Sequence, residues 1–131
     1  MKKFLIIILF FNLIYTHTYS IEPELFVQSA VNKASQILSK NISKEEKMNG
    51  LKIIAKETVD IKGIGFYSLG SARKNLNDNQ IRLYFVLFEK YFLKSFSSRL
   101  SEYTNPKIEV QSKKILNKNY TIVNSVLVGT P

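Results

Sequence analysis

The sequence predicts an α+β fold in which four N-terminal helices pack on a small antiparallel sheet. Two observations predict it: apolar residues recur at three- and four-residue steps up to about residue 101, and the period changes to two after Pro106. Only the first two strands of the sheet lie within the sequence. A sheet that covers four helices ordinarily has at least three strands, so we expect the chain to be incomplete at its C-terminal end.

The first helix is predicted to run from Pro23 to Ser39, because proline suits a first helical turn and the helical period follows it. A second helix should extend from Lys44 to about Thr58. Ser43 and Glu46 precede it with the spacing of a capping box, in which each side chain bonds the other residue's backbone N–H.

A short third helix is predicted between Asp60, a good N-cap, and Gly70, which suits the position after a helix end. Gly63 and Gly65 lie inside it and each costs about 1 kcal/mol relative to alanine. We therefore expect these glycines to serve packing or a hinge. Their spacing does not match a phosphate-binding loop.

The fourth helix begins after Asn77, with Gln80 completing its cap, and extends to about Ser101. Its apolar arc covers about half of the helical wheel, whereas a surface helix needs a stripe of roughly 100°. The arc contains six aromatic residues, Tyr84, Phe85, Phe88, Tyr91, Phe92 and Phe96, and the aliphatic Ile81 and Leu87 complete it. Such a stripe is either ordinary core or the lining of a cavity.

Two strands are predicted after Pro106. Ile108 and Val110 alternate with charged residues in the first strand, and a turn follows at Asn117–Asn119. The second strand places one set of apolar residues on a single face: Tyr120, Ile122, Val126 and Val128.

Residues 1–20 have the order of a secretory signal peptide. Two lysines precede an apolar run from Phe4 to Ile14, and small polar residues lead to Ser20. A membrane span needs about 20 apolar residues, so this run is too short for one. We expect export and cleavage after Ser20, which leaves residues 21–131 as one domain. An uncleaved anchor is the alternative.

The composition excludes most catalytic chemistry. The chain has no Cys and no Trp, and its one histidine, His17, lies in the leader. Ser-His-Asp and Cys-His catalysis and the usual zinc sites are therefore excluded from residues 21–131. A carboxylate hydrolase using Asp60 and Asp78 stays open, but both residues suit helix starts. We expect no enzyme, no catalytic residue, no metal and no cofactor.

The chain is basic, with 19 Lys and Arg residues against 10 Asp and Glu residues and a net charge of +9. The lysines are scattered, and Arg73, Arg82 and Arg99 lie far apart, which argues against a nucleic-acid partner. Anionic lipid headgroups, an acidic protein partner or a merely solvated surface would each explain the charge.

Residues 51–129 resemble the MlaC family, also called toluene-tolerance proteins. The resemblance is carried by Val59 and Asp60, by Leu69 and Gly70, by Gln80 and by the segment YFVLFEKYFLKSF from Tyr84 to Phe96. Family members commonly have an aromatic residue where Arg73 stands. They also continue past the second strand with further strands and a closing helix.

The resemblance implies a periplasmic phospholipid carrier that belongs to an ABC transport system of Gram-negative bacteria. Its partners would be an MCE-domain subunit of the inner-membrane transporter and an outer-membrane lipid-donor complex, with transient contact to a membrane surface. The expected lipid pocket consists of Ile61, Ile64, Tyr84, Phe85, Phe88, Phe92, Phe96, Val110, Ile122 and Val126. A hopanoid-type carrier and a lipid-free helical adaptor are the alternatives.

Overall fold

A computed structural model of the protein describes residues 21–128, and the leader predicted at residues 1–20 lies outside that range. The structure confirms the α+β prediction, because the described residues form four helices followed by a two-stranded antiparallel sheet. A 3-10 helix, which the sequence did not predict, joins the third and fourth helices. The elements are α1 (Pro23–Leu38), α2 (Lys44–Thr58), α3 (Ile61–Leu69), the 3-10 helix (Gly70–Asn75), α4 (Asp78–Leu100), β1 (Lys107–Asn117) and β2 (Tyr120–Val128).

The helix starts are fixed by the predicted caps. The backbone N–H of Glu46 donates to Ser43 Oγ at 3.2 Å, and the Glu46 carboxylate accepts from the Ser43 N–H at 2.9 Å. Hydrogen bonds from the Ser43 side chain and backbone lower the pKa of Glu46. Asn77 and Gln80 form the same reciprocal pair at the start of α4. Both capping boxes are confirmed.

The helices share a small core. Leu38 on α1 and Leu51 on α2 are buried almost completely, and Ala55, Ile61 and Leu93 form a cluster that joins α2, α3 and α4. Because α2 packs against both α1 and α4, it is the central helix of the layer.

The two strands form a hairpin that packs mainly on α1. Register pairs Ile108 with Leu127 and Val110 with Ser125, and the pairing shifts between Val110 and Lys113. Ile108 and Val110 are half-buried. The opposite face of the hairpin is exposed. It carries the four apolar residues that the sequence placed on one face: Tyr120, Ile122, Val126 and Val128.

Lys113 ties the hairpin to the start of α1. Its ammonium group pairs with Glu22 and, at 2.9 Å, with Glu24. The hydrogen bond from Lys113 is the main reason that the pKa of Glu24 is lowered. The pKa of Lys113 is raised, chiefly by its hydrogen bonds to Glu22 and then Glu24.

We expect Lys113→Met to lower the melting temperature slightly at neutral pH and to have no effect at about pH 2. Because folding lowers the pKa of the Glu24 carboxyl, this group stabilises the fold at pH values above its pKa in the unfolded chain. The contribution is lost as the pH falls through the pKa of the folded state. The raised pKa of Lys113 also contributes to stability, and that contribution is lost only at high pH, as the pH rises through the pKa of the folded state. Thermal unfolding of both proteins across this range measures the difference, with Lys118→Met as the control. An equal difference at both pH values would contradict the prediction.

Candidate apolar binding site

Four aromatic rings on α4 stack at four-residue steps: Tyr84, Phe88, Phe92 and Phe96, here called the aromatic ladder. Successive ring centroids are 5.7, 6.2 and 5.8 Å apart. Phe85 meets Tyr84 edge to face, with centroids 5.5 Å apart. All five rings are half-buried, so each keeps part of its surface open to a ligand.

The inner side of the ladder rests on the core. Phe88, Phe92 and Phe96 pack against the cluster of Ala55, Ile61 and Leu93. This contact fixes the ladder on the helical layer. The rings therefore have both core and surface character. The core interpretation describes their inner side, and the lining of a cavity stays a prediction for their open side.

Helix α3 approaches the ladder closely through Gly65. A Cβ atom at this position would lie 2.8 Å from Cδ1 of Phe88, which is closer than carbon atoms pack. The hydroxyl of Tyr84 also donates to the carbonyl oxygen of Gly65 at 3.0 Å. Glycine is thus required at position 65 for helix packing, which is one of the two reasons, packing or a hinge, expected for the glycines of this helix.

Two grooves lie between α3 and α4. The narrower has a volume of about 150 Å³ and is lined by Ile61, Lys62, Phe85, Val86 and Glu89. The shallower has a volume of about 380 Å³ and is lined by Asp60, Lys62, Gly63, Phe66 and Phe85. Ligand sites commonly measure about 300–1,000 Å³, so the shallower groove is at the lower end of that range.

Cationic side chains lie over the rings that border these grooves. The Arg73 guanidinium is 4.5 Å from the centroid of Phe66, and the Lys62 ammonium is 5.9 Å from that of Phe85. Each cation is attracted by the negative face of its ring. The grooves carry charge of both signs, because Lys62 lines each of them together with a carboxylate residue, Glu89 in the narrower groove and Asp60 in the shallower one.

The structure brings part of the predicted pocket together. Ile61 lies buried beneath the ladder, while Ile64 on the same helix is 41% exposed. Val110 lies on the half-buried face of the hairpin, and Ile122 and Val126 lie on the opposite face. The three strand residues therefore do not share one surface.

Three residues beside the ladder were missing from the predicted pocket: Gly65, Lys62 and Val86. The glycine did carry a signal, because a glycine inside a helix is unfavourable unless close packing requires it. Lys62 and Val86 carried none, since an exposed lysine and valine are ordinary on a helix surface.

Within residues 21–128, no cluster of three or more His, Cys, Asp or Glu residues could hold a metal ion. No helix in the same range has both the length and the apolar character that crossing a bilayer requires.

These features define an α+β protein that carries a half-open aromatic surface on its longest helix. A family model described as "MlaC protein" matches residues 28–131, and the chain belongs to the MlaC family. Members of this family are periplasmic phospholipid-binding carriers and are not known as enzymes. No curated protein and no solved structure matches the chain.

Proposed function

We propose that this protein is a periplasmic carrier that shuttles phospholipid between the outer membrane and an inner-membrane ABC transporter. The family match over residues 28–131 is the observation that supports the proposal most strongly. Export would follow from the signal peptide predicted at residues 1–20. The partners would be an MCE-domain subunit of the transporter and an outer-membrane lipid-donor complex.

The aromatic ladder offers the hydrocarbon-binding surface that such a carrier needs. An acyl chain lying along the open side of the rings would bury its methylene groups, each contributing about 0.8 kcal/mol. The four rings extend over twelve residues of helix, or about 18 Å at 1.5 Å per residue, which is comparable to an extended acyl chain.

We assign the binding surface to the ladder together with Ile61, Ile64 and Phe85. The strand residues can contribute from one hairpin face only, because Val110 lies opposite Ile122 and Val126. Binding by apolar burial would leave the headgroup near water, so selectivity would depend on the lipid tails. The carrier would perform no chemistry on the lipid.

Lipid content after purification tests this proposal. We expect the chain purified from a bacterial host to carry phospholipid, detectable by mass spectrometry of its organic extract. Phe92→Gln should reduce the lipid per chain severalfold, because the amide would be desolvated without a partner against an acyl chain. Tyr67→Gln is the matched control, since Tyr67 is 86% exposed on α3 and should leave the lipid content unchanged.

Circular dichroism of Phe92→Gln separates loss of lipid from loss of folding, and Phe92→Leu, which remains apolar, should retain lipid. If the extract contains a hopanoid instead of phospholipid, the hopanoid is the cargo. A folded, lipid-free chain would contradict the proposal.

The second candidate is a lipid-free adaptor that binds a partner by strand addition. Within residues 21–128 the sheet has only two strands, so each strand has one edge without a neighbouring strand. Unpaired edges of this kind can accept a further strand. Size-exclusion chromatography of the same samples distinguishes the two functions: a lipid-free dimer supports the adaptor, whereas a lipid-loaded monomer supports the carrier.

A further inference from the structure

Helix α4 has a second apolar side that the aromatic ladder does not explain. Leu83, Leu87 and Tyr91 follow one another at four-residue steps, and we call these three residues the outer stripe. Their side chains are 59%, 55% and 69% exposed. Large apolar residues aligned along an exposed helix face indicate contact with something other than water.

Basic side chains lie beside the outer stripe. A groove of about 380 Å³ between α2 and α4 is lined by Met48, Lys52, Lys90, Leu93 and Lys94. A second groove, of about 310 Å³, is lined by Tyr91, Lys94, Ser95, Ser98 and Arg99. Lys94 belongs to both grooves, so the basic residues form one continuous surface.

Of the acidic residues in the described part of the chain, none lines either groove. Among residues 21–128, the ion pairs of α2 and α4 involve Lys44, Lys56, Glu57 and Glu89, and none involves Lys52, Lys90, Lys94 or Arg99. Four cationic groups and two serine hydroxyls thus surround the grooves, and none of the acidic residues within 21–128 belongs to their lining. This donor set fits phosphate oxygens.

We propose that the outer stripe and its basic neighbours dock on the surface of a bilayer that contains anionic phospholipid. Leucine and tyrosine suit the boundary between headgroups and acyl chains, and lysine side chains extend from that depth towards the phosphates. Basic residues near an anionic bilayer are attracted by its negative surface potential. An acidic protein surface would satisfy the charges, but it would leave the exposed leucines without a comparable apolar layer.

The outer stripe adjoins the ladder on α4 but contains none of its rings, so docking does not require lipid in the proposed carrier site. Helix α4 would hold cargo on the ladder and face the bilayer with the neighbouring outer stripe. The proposal deepens the proposed carrier function, on which it rests in this respect, because it assigns contact with the membrane surface to particular residues of α2 and α4.

Vesicle binding of the full chain tests the proposal. We expect partition onto vesicles of phosphatidylglycerol and phosphatidylethanolamine, weak partition onto phosphatidylcholine, and a decrease with added salt. Each surface lysine contributes roughly fivefold to such binding, so Lys90→Gln combined with Lys94→Gln should reduce partition at least tenfold. Lys114→Gln combined with Lys118→Gln is the control with the same charge change on the hairpin, and it should have much less effect.

Leu87→Ser adds a test of the apolar part and should reduce partition severalfold in a chain that keeps its helix content. Lipid content per purified chain is measured in parallel and should be unchanged in the Lys90 and Lys94 variant. Failure of the carrier function would appear in that measurement and not in vesicle binding. The docking proposal is overturned if the folded chain ignores anionic vesicles, if both lysine pairs act equally, or if the stripe is covered by a second copy in solution.

Discussion

Replacing Leu51 by alanine should lower the free energy of unfolding by about 2–5 kcal/mol. Leu51 has no exposed surface and lies on α2, the helix that packs against both α1 and α4. Its truncation removes apolar contacts and leaves a cavity that the surrounding helices fill only partly. A domain of this size is commonly stable by about 5–15 kcal/mol, so this single change removes a large part of its stability.

Urea unfolding followed by circular dichroism measures this loss. Leu25→Ala is the matched control, because Leu25 is also helical but is 64% exposed, and its change should stay within about 0.5 kcal/mol. A loss below about 1 kcal/mol at Leu51 would show that the helical layer relaxes into the space and is less tightly packed than its burial indicates.

The helices could be predicted from sequence because their determinants are local. Ser43 with Glu46 and Asn77 with Gln80 fix two helix starts through bonds that span three residues. The 3-10 helix at Gly70–Asn75 was missed because it buries no residue and so leaves no apolar period to detect.

The sequence predicted the two strands of the hairpin and the residues on each face, but it did not predict which face is buried. Alternation assigns Ile122 and Val126 to one side and Val123 and Leu127 to the other, and both sides are apolar. The choice depends on α1 and on the Lys113 ion pairs, which join residues about ninety positions apart. Sequence periodicity contains no information on contacts at that separation.

In the candidate site, too, the sequence predicted the local feature but not the part that depends on tertiary contacts. Spacing alone predicted a broad apolar arc on α4, but only the structure separates it into the half-buried ladder and the exposed outer stripe. Leu87 and Tyr91 belong to the arc by their positions on the helical wheel, yet the neighbouring helices cover only the part of the arc that contains the ladder. Which part of an apolar arc is covered depends on tertiary packing.

Replacing Gly65 by valine should lower the free energy of unfolding by about 1–3 kcal/mol and displace Phe88 from the ladder. The first added carbon would already lie 2.8 Å from the Phe88 ring, and the valine methyl groups need more space. Removing the glycine favours the helix by less than about 1 kcal/mol for a β-branched residue, so the steric overlap dominates. Ser68→Val, at an exposed position of the same helix, should change stability by no more than about 0.5 kcal/mol.

A double-mutant cycle with Phe88→Leu identifies the cause. If overlap with the ring destabilises Gly65→Val, the smaller leucine should recover about 1 kcal/mol, whereas additive losses would place the strain elsewhere. The lipid content of the Gly65→Val chain then connects packing to function. Because α3 holds the ladder through Gly65 and the Tyr84 hydroxyl, a displaced Phe88 interrupts the continuous ring surface, and the folded variant should retain less lipid than the Ser68→Val control.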